Sequence, residues 1–237
     1  MNLSIFEVLG PVMVGPSSSH TAGAAKLART AAQLAPRGFC GVRFALAGSF
    51  AKTGRGHGTH RALLAGALGL APDDERLRDA CALARAAHVD YAFTQIELPD
   101  EHENTVRITF LYPDGAEFCV QGSSIGGGRI VVTQLEGMPV EVRAEAPTLV
   151  LTQRDVRGVV SSVSGILAQA GLNIGVMRVS RAQKGTVASC VIETDAPIPA
   201  AVTQALKQDA NILSVHAIAP LDTPAAQTEE NGGEAHV

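Results

Sequence analysis

Between residues 148 and 218 the hydrophobic pattern changes period repeatedly, in an order that few architectures accommodate. Residues 148–152 form a short apolar run. Residues 158–170 carry Val159, Val163, Ile166 and Leu167 at helical spacing, and Gly171-Leu172-Asn173 follows as a helix stop. Strands are expected at 174–180 and 186–193, joined by a turn through Lys184-Gly185. Pro199 suits the first turn of a helix running to Lys207, and 212–218 reads as a last strand. The order βαββαβ predicts a small two-layer domain of ferredoxin-like type. The pattern resets at Ala144-Glu145-Ala146-Pro147. We therefore expect a first domain over residues 1–145, a second over 147–219, and a disordered tail over 221–237, polar and interrupted by Pro224, Gly232 and Gly233.

The first half is organised by Gly10-Pro11-Val12-Met13-Val14-Gly15-Pro16-Ser17-Ser18-Ser19-His20-Thr21. A short helix over 2–9 is stopped by Gly10-Pro11. After Ser19, the residues Ala24, Leu27, Ala28, Ala31 and Leu34 recur at helical spacing, which predicts a helix to about residue 35. Ser18 or Ser19 is then the natural N-cap. Residues 42–46 alternate as a strand. The Gly-rich run from Gly48 to His60 follows, with Thr59 placed to cap a helix to about residue 70. Pro72-Asp73-Asp74-Glu75 opens a further helix to about residue 87, its acidic first turn matching the dipole. Strands are expected at 105–112, 116–120 and 129–135. Pro113-Asp114-Gly115 turns the first pair, and a Ser/Gly loop, Gln121 to Gly128, joins the second. The whole is an α+β chain.

Composition narrows the function classes. A net charge of −4 and a pI near 6.0 give no electrostatic case for nucleic acid or a membrane surface. No secretory leader pattern is visible and no run of about 18 apolar residues occurs, so a cytoplasmic protein is expected. The cysteines Cys40, Cys81, Cys119 and Cys190 are scattered, without a C-x-x-C pair or a nearby ligand-spaced histidine. Reduced thiols are expected, with no metal site in this chain.

Three Gly/hydroxyl-rich segments carry the chemistry, two of them with a histidine at a helix start. A helix N-terminus offers free N–H groups to an anion, hydroxyls orient a ligand, and imidazole moves protons near neutral pH. Together the segments could enclose a small carboxylate-bearing ligand. That reading names neither the ligand nor a choice between binding and catalysis. Ser49-Phe50-Ala51-Lys52 and Lys52-Thr53-Gly54 match two motifs of serine acyl-transferases. They share Lys52 here, so they cannot face one another across a cleft. A pyridoxal-phosphate role for Lys52 is set aside for want of a large α/β scaffold.

The stretches Gly15-Pro16-Ser17-Ser18-Ser19-His20-Thr21-Ala22-Gly23, Thr53-Gly54-Arg55-Gly56-His57-Gly58-Thr59 and Gly122-Ser123-Ser124-Ile125-Gly126-Gly127-Gly128 resemble the iron–sulfur-dependent L-serine dehydratases, and more closely their separate β subunit. The family usually has an acidic residue after G-H-G-T, where this chain has His60. The C-terminal unit resembles an ACT domain, through Asp155-Val156-Arg157-Gly158 and Gly171-Leu172-Asn173-Ile174. The first is similar to the allosteric substrate-binding domain of some D-3-phosphoglycerate dehydrogenases.

The resemblance implies conversion of L-serine to pyruvate and ammonia without pyridoxal phosphate. A 4Fe-4S cluster, held by cysteines of a separate α subunit, would act as Lewis acid on the substrate hydroxyl. This chain would be inactive alone and would lend one wall of a composite site. His20 and His57 are the candidate catalytic groups. Ser17, Ser18, Ser19, Thr21, Gly58, Thr59, Ser124, Gly126 and Gly127 are the candidate substrate-binding residues. Asp155, Gly158, Asn173 and Ile174 would bind an amino-acid effector, and ACT domains would pair edge to edge. The competing class is a non-catalytic regulatory protein that senses serine through both domains.

Overall fold

The computed structural model describes residues 13–181 and 183–221. The helix expected over 2–9 and the tail beyond Leu221 lie outside the described residues. The sequence from Ser17 winds into a single π turn, Ser18–Gly23, and continues as α1, Ala24–Leu34. Strand β1 (Gly41–Leu46) is followed by two short helices, α2 (Gly48–Thr53) and α3 (Thr59–Ala67). A 3₁₀ turn, Glu75–Asp79, leads into α4, Ala80–Ala86.

Strands β2 (Asp90–Gln95), β3 (Thr105–Leu111), β4 (Glu117–Gly126), β5 (Arg129–Leu135) and β6 (Met138–Val142) complete a six-stranded sheet in the order β2-β1-β3-β4-β5-β6. Only the β1–β2 pairing is parallel, because α2, α3 and α4 intervene between those two strands. Phe44, Phe50, Phe110, Leu27, Leu34, Leu63, Leu64 and Ile108 are fully buried between helices and sheet. Each such side chain contributes about 1.5–3 kcal/mol of burial.

The second sheet is built from β7 (Thr148–Arg154), α5 (Val159–Gln169), β8 (Ile174–Arg181), β9 (Val187–Thr194), α6 (Ala200–Lys207) and β10 (Ile212–Ile218). Its order, β10-β7-β9-β8, is that of a ferredoxin-like βαββαβ unit. The period of two divides its residues between two cores. Leu149, Leu151, Cys190 and Ile192 join α5 and α6 in one core, whereas Val150, Val191 and Ile218 belong to the core of the first sheet. The back of the second sheet is thus closed by the first unit, with Ser189 Oγ donating to the Pro139 carbonyl at 2.7 Å.

Several expectations need correction. The segment expected as an open Ser/Gly loop is mostly strand: β4 runs through Gly122, Ser123 and Ser124 and turns only at Gly126 to Gly128, all with positive φ. Strands β2 and β6 and helix α2 carry no expectation above. In β2 most residues are exposed and in β6 burial is mixed, so neither shows a full apolar alternation, and α2 is only six residues long. The helix expected from residue 72 begins later, as the 3₁₀ turn.

Candidate functional site

Ser17, rather than Ser18 or Ser19, is the N-cap of the π turn: it is extended and its Oγ accepts from the His20 N–H at 3.1 Å. Its carbonyl receives both the Thr21 N–H at 2.9 Å and the Ala22 N–H at 3.4 Å, the second of these being the i→i+5 bond of a π turn. The widened turn directs the His20 ring toward α2. There Ser49 Oγ lies 3.2 Å and Thr53 Oγ1 3.1 Å from His20 Nε2. Ser49 and Thr53 are one helical turn apart, so both hydroxyls occupy one face of α2 and are themselves 3.3 Å apart. The fully buried Phe50 presents its ring at 5.3 Å, near perpendicular to the imidazole.

The second candidate histidine arrives from the α2–α3 loop. His57 has its ring centroid 5.0 Å from that of His20, and its carbonyl accepts the Thr21 Oγ1 proton at 3.1 Å. Burial pushes the His20 imidazole below its ordinary value of 6.5, and repulsion from His57 adds to the effect. A hydrogen bond with the Ser49 backbone and the Glu103 carboxylate oppose the shift without cancelling it. At neutral pH His20 is therefore a neutral ring whose Nε2 is held by two hydroxyls.

His57, Gly58 and Thr21 open onto a cavity of about 730 Å³, which Arg55, Arg61, Arg78 and His60 also line. Burial and the Arg55 charge hold His60 below 6.5. Its ring packs 4.5 Å from that of Phe93. The arginines were not among the residues singled out above. Their signal in the sequence is only that two of them flank the G-H-G-T segment.

The structure does not bring every predicted residue to this place. Thr59 is fully buried and lies outside the cavity lining; Gly58, left-handed at φ +74°, takes the N-cap of α3 instead. Ser124 is also fully buried and its side chain abuts Gly23. Gly126 and Gly127 form the β4–β5 turn and do not line the cavity. Ser18 and Ser19 are half-buried in the π turn itself.

In the second unit, Asp155 and Asn173 sit at opposite ends of β8. Asp155 accepts from the Gly185 N–H at 2.7 Å and from Arg181 at 3.0 Å, contacts that hold its carboxyl below the usual range. Asn173 donates to Asp195 at 2.6 Å. Gly158 is the left-handed N-cap of α5 and Ile174 opens β8.

Among the described residues no three His, Cys, Asp or Glu side chains gather as a metal site. Cys40 is exposed, Cys81 and Cys119 are half-buried and Cys190 is buried, all as separate thiols. An iron–sulfur cluster needs grouped thiolates, so the described residues do not fit one.

An α+β unit with two histidines meeting beside a basic cavity, followed by a βαββαβ unit, defines a two-part protein with an ACT domain. The family model for the serine dehydratase beta chain matches residues 4–92, and the ACT domain model matches residues 148–211. The chain is 43% identical over 204 residues to the L-serine dehydratase, beta chain, of Peptoniphilus asaccharolyticus, covering 86% of this chain and 92% of that one. It is 38% identical over 216 residues to the probable L-serine dehydratase, beta chain, of Bacillus subtilis strain 168, covering 91% and 98%. L-serine dehydratase 2 of Escherichia coli K12 is 28% identical over 198 residues, 70% of this chain but 42% of that longer protein. The chain belongs to the family of L-serine dehydratase beta chains.

Proposed function

We propose that this chain works as the β subunit of a lyase that converts L-serine to pyruvate and ammonia. The observation that carries the reading is its near end-to-end likeness to proteins named as beta chains of that enzyme. This likeness does not favour the purely regulatory alternative. The longer relatives named L-serine dehydratase or L-serine dehydratase 2 are matched over only 24–42% of their length, so most of such a protein is missing here. We place the missing part, with the 4Fe-4S cluster, on a separate α subunit. The dispersed thiols of this chain agree with that division.

In this reading the chain's own residues bind, orient and move protons. Ser18 and Ser19 in the π turn, with Ser17 as its cap, face the substrate carboxylate. His20, neutral and fixed by Ser49 and Thr53, accepts or returns a proton at Nε2. His57 faces the substrate from the cavity side, with Gly58 and Thr21 shaping that wall. Thr59, Ser124, Gly126 and Gly127 support the wall from behind. The ACT unit uses the edge of β8 to self-associate and takes an amino acid near Asp155 and Gly158, at the end of β8 opposite Asn173 and Ile174. Among the described residues no helix is long and apolar enough to cross a membrane, and a cytoplasmic setting agrees with reduced thiols.

The test is anaerobic reassembly with the cluster-bearing chain and a pyruvate assay. The assembled pair should turn over serine and this chain alone should not. His20→Gln should cut kcat by about 10²–10⁴, the range of general acid–base groups. Unchanged kcat and KM would remove His20 from the site.

A further inference from the structure

Strand β2 ends one side of the first sheet, and among the described residues no strand pairs with its outer edge. The Asp90 N–H donates to the Cys40 carbonyl and the Ile96 N–H to the Leu46 carbonyl, each at 2.9 Å. Backbone groups alternate sides along a strand, so Tyr91, Phe93 and Gln95 turn their N–H and C=O groups outward. Such a row is a template for another strand, and proteins commonly blunt it with proline, lysine or a bulge. Asp90–Gln95 has no proline or lysine, and its pairing with β1 runs without a register shift. The other edge strands differ. Strand β6 contains Pro139 and lies against the second sheet, and β8 and β10 each carry a register shift.

The β2 edge is also self-complementary. Two copies related by a two-fold axis run this strand antiparallel. With Phe93 opposite Phe93 of the second copy, Tyr91 meets Gln95 and Gln95 meets Tyr91, so all three outward residues exchange both of their hydrogen bonds. Phe93 is half-buried and stacked 4.8 Å from Phe44, and its counterpart covers the ring edge that is left. Antiparallel approach brings Arg85, which precedes β2, to the end of the other strand, where Glu97 and Asp100 follow. A parallel approach would set like charges together. Pairing uses the edge of both copies, so assembly closes at two.

We propose that β2 is an interface between two copies of this chain, joined antiparallel about Phe93 into one continuous sheet. In this register Ala92 lies opposite Thr94 of the second copy, and both side chains are exposed on the sheet face away from Phe93. The variant A92K/T94K therefore opposes like charges across the pair, and A92K/T94E opposes unlike ones. Sedimentation equilibrium of the full chain over a concentration series reads the outcome and needs no turnover, so it stands apart from the serine assay. The unaltered chain should associate above its 24.5 kDa chain mass. A92K/T94K should weaken that association about tenfold or more, and A92K/T94E should leave it at least as strong. Pairing through the second unit alone would leave the two variants equal. Circular dichroism and thermal unfolding check that each variant folds. A chain that stays at single mass, or two variants that associate alike, overturns the proposal. Unchanged self-association of A92K/T94K with loss of the cluster-bearing chain also overturns it, and would assign the edge to that subunit.

Discussion

Gly48→Ala tests whether the hydroxyl face of α2 is held as described. Gly48 opens that helix at φ +51°, a conformation that costs an L-residue about 1–2 kcal/mol. An added Cβ would also meet the Glu103 backbone, 2.8 Å from its Cα and 2.9 Å from its carbonyl carbon. That carbonyl oxygen accepts the Ser49 N–H at 2.6 Å and the Phe50 N–H at 3.4 Å, so the chain cannot step aside without loosening the start of α2. Overpacking of this kind costs about 1–3 kcal/mol. The total is about 3 kcal/mol. Gly115→Ala separates the two parts, because Gly115 has φ +83° and nothing within 4 Å of an added Cβ. It should cost about 1 kcal/mol. Urea denaturation followed by circular dichroism reads both, and the difference of about 2 kcal/mol should move the midpoint by about 1 M at an ordinary slope. If Gly48→Ala costs no more than Gly115→Ala, the Glu103 contact is not what fixes α2, and the account of how Ser49 reaches His20 fails.

Three more outcomes follow from the same geometry. His20, His60 and His216 are each held below 6.5, with burial the largest cause. Such groups bind more protons unfolded than folded, so their contribution to stability is present above 6.5 and is lost as pH falls below it. The urea midpoint should therefore be lower at pH 5.5 than at pH 7.5. His216→Phe, which removes a buried Nε2 without a partner, should flatten that dependence. Gly23→Ala drives a methyl into Ser124, 2.9 Å from its Cβ, and should cost about 1–3 kcal/mol. Adding Ser124→Gly should recover most of this in a double-mutant comparison. Thr53→Val removes one hydroxyl from His20 Nε2 at nearly constant volume. It should lower kcat of the reassembled enzyme several-fold with little change in KM, whereas an equal loss in both would make Thr53 merely structural.

The second unit was legible because each of its elements obeys one period over enough residues to be read. The 212–218 strand coincides with β10, and in the first unit the 129–135 strand coincides with β5 in the same way. Three parts of the first unit were not. Strand β2 is an edge with little buried surface and so carries little hydrophobic pattern. The β4 segment contains Gly122, where a side chain would strike Leu27 and the Val131 carbonyl, so the glycine marks close packing and not a loop. Arg55, Arg61 and Arg78 converge only through the fold, and no local spacing announces them.

The Ser49–Lys52 segment shows how residues can be noticed in a sequence while the geometry they form is missed. Tested as S-x-x-K, the pair fails, and the structure agrees: Lys52 faces a separate hollow with Gly48 and Leu98, while Ser49 points at His20. The informative spacing was i to i+4, Ser49 to Thr53, which a helix places on one face. That spacing becomes visible only once α2 is known to be helical, and six residues with three glycines close behind them do not reveal it. His20 then depends on three things that sequence could list but not join. These are a π turn that aims the ring, a helix that presents two hydroxyls, and the Gly48–Glu103 contact that fixes that helix to the sheet. An imidazole assembled in this way is neutral and oriented before any ligand arrives, which is the condition a proton-transfer group must meet.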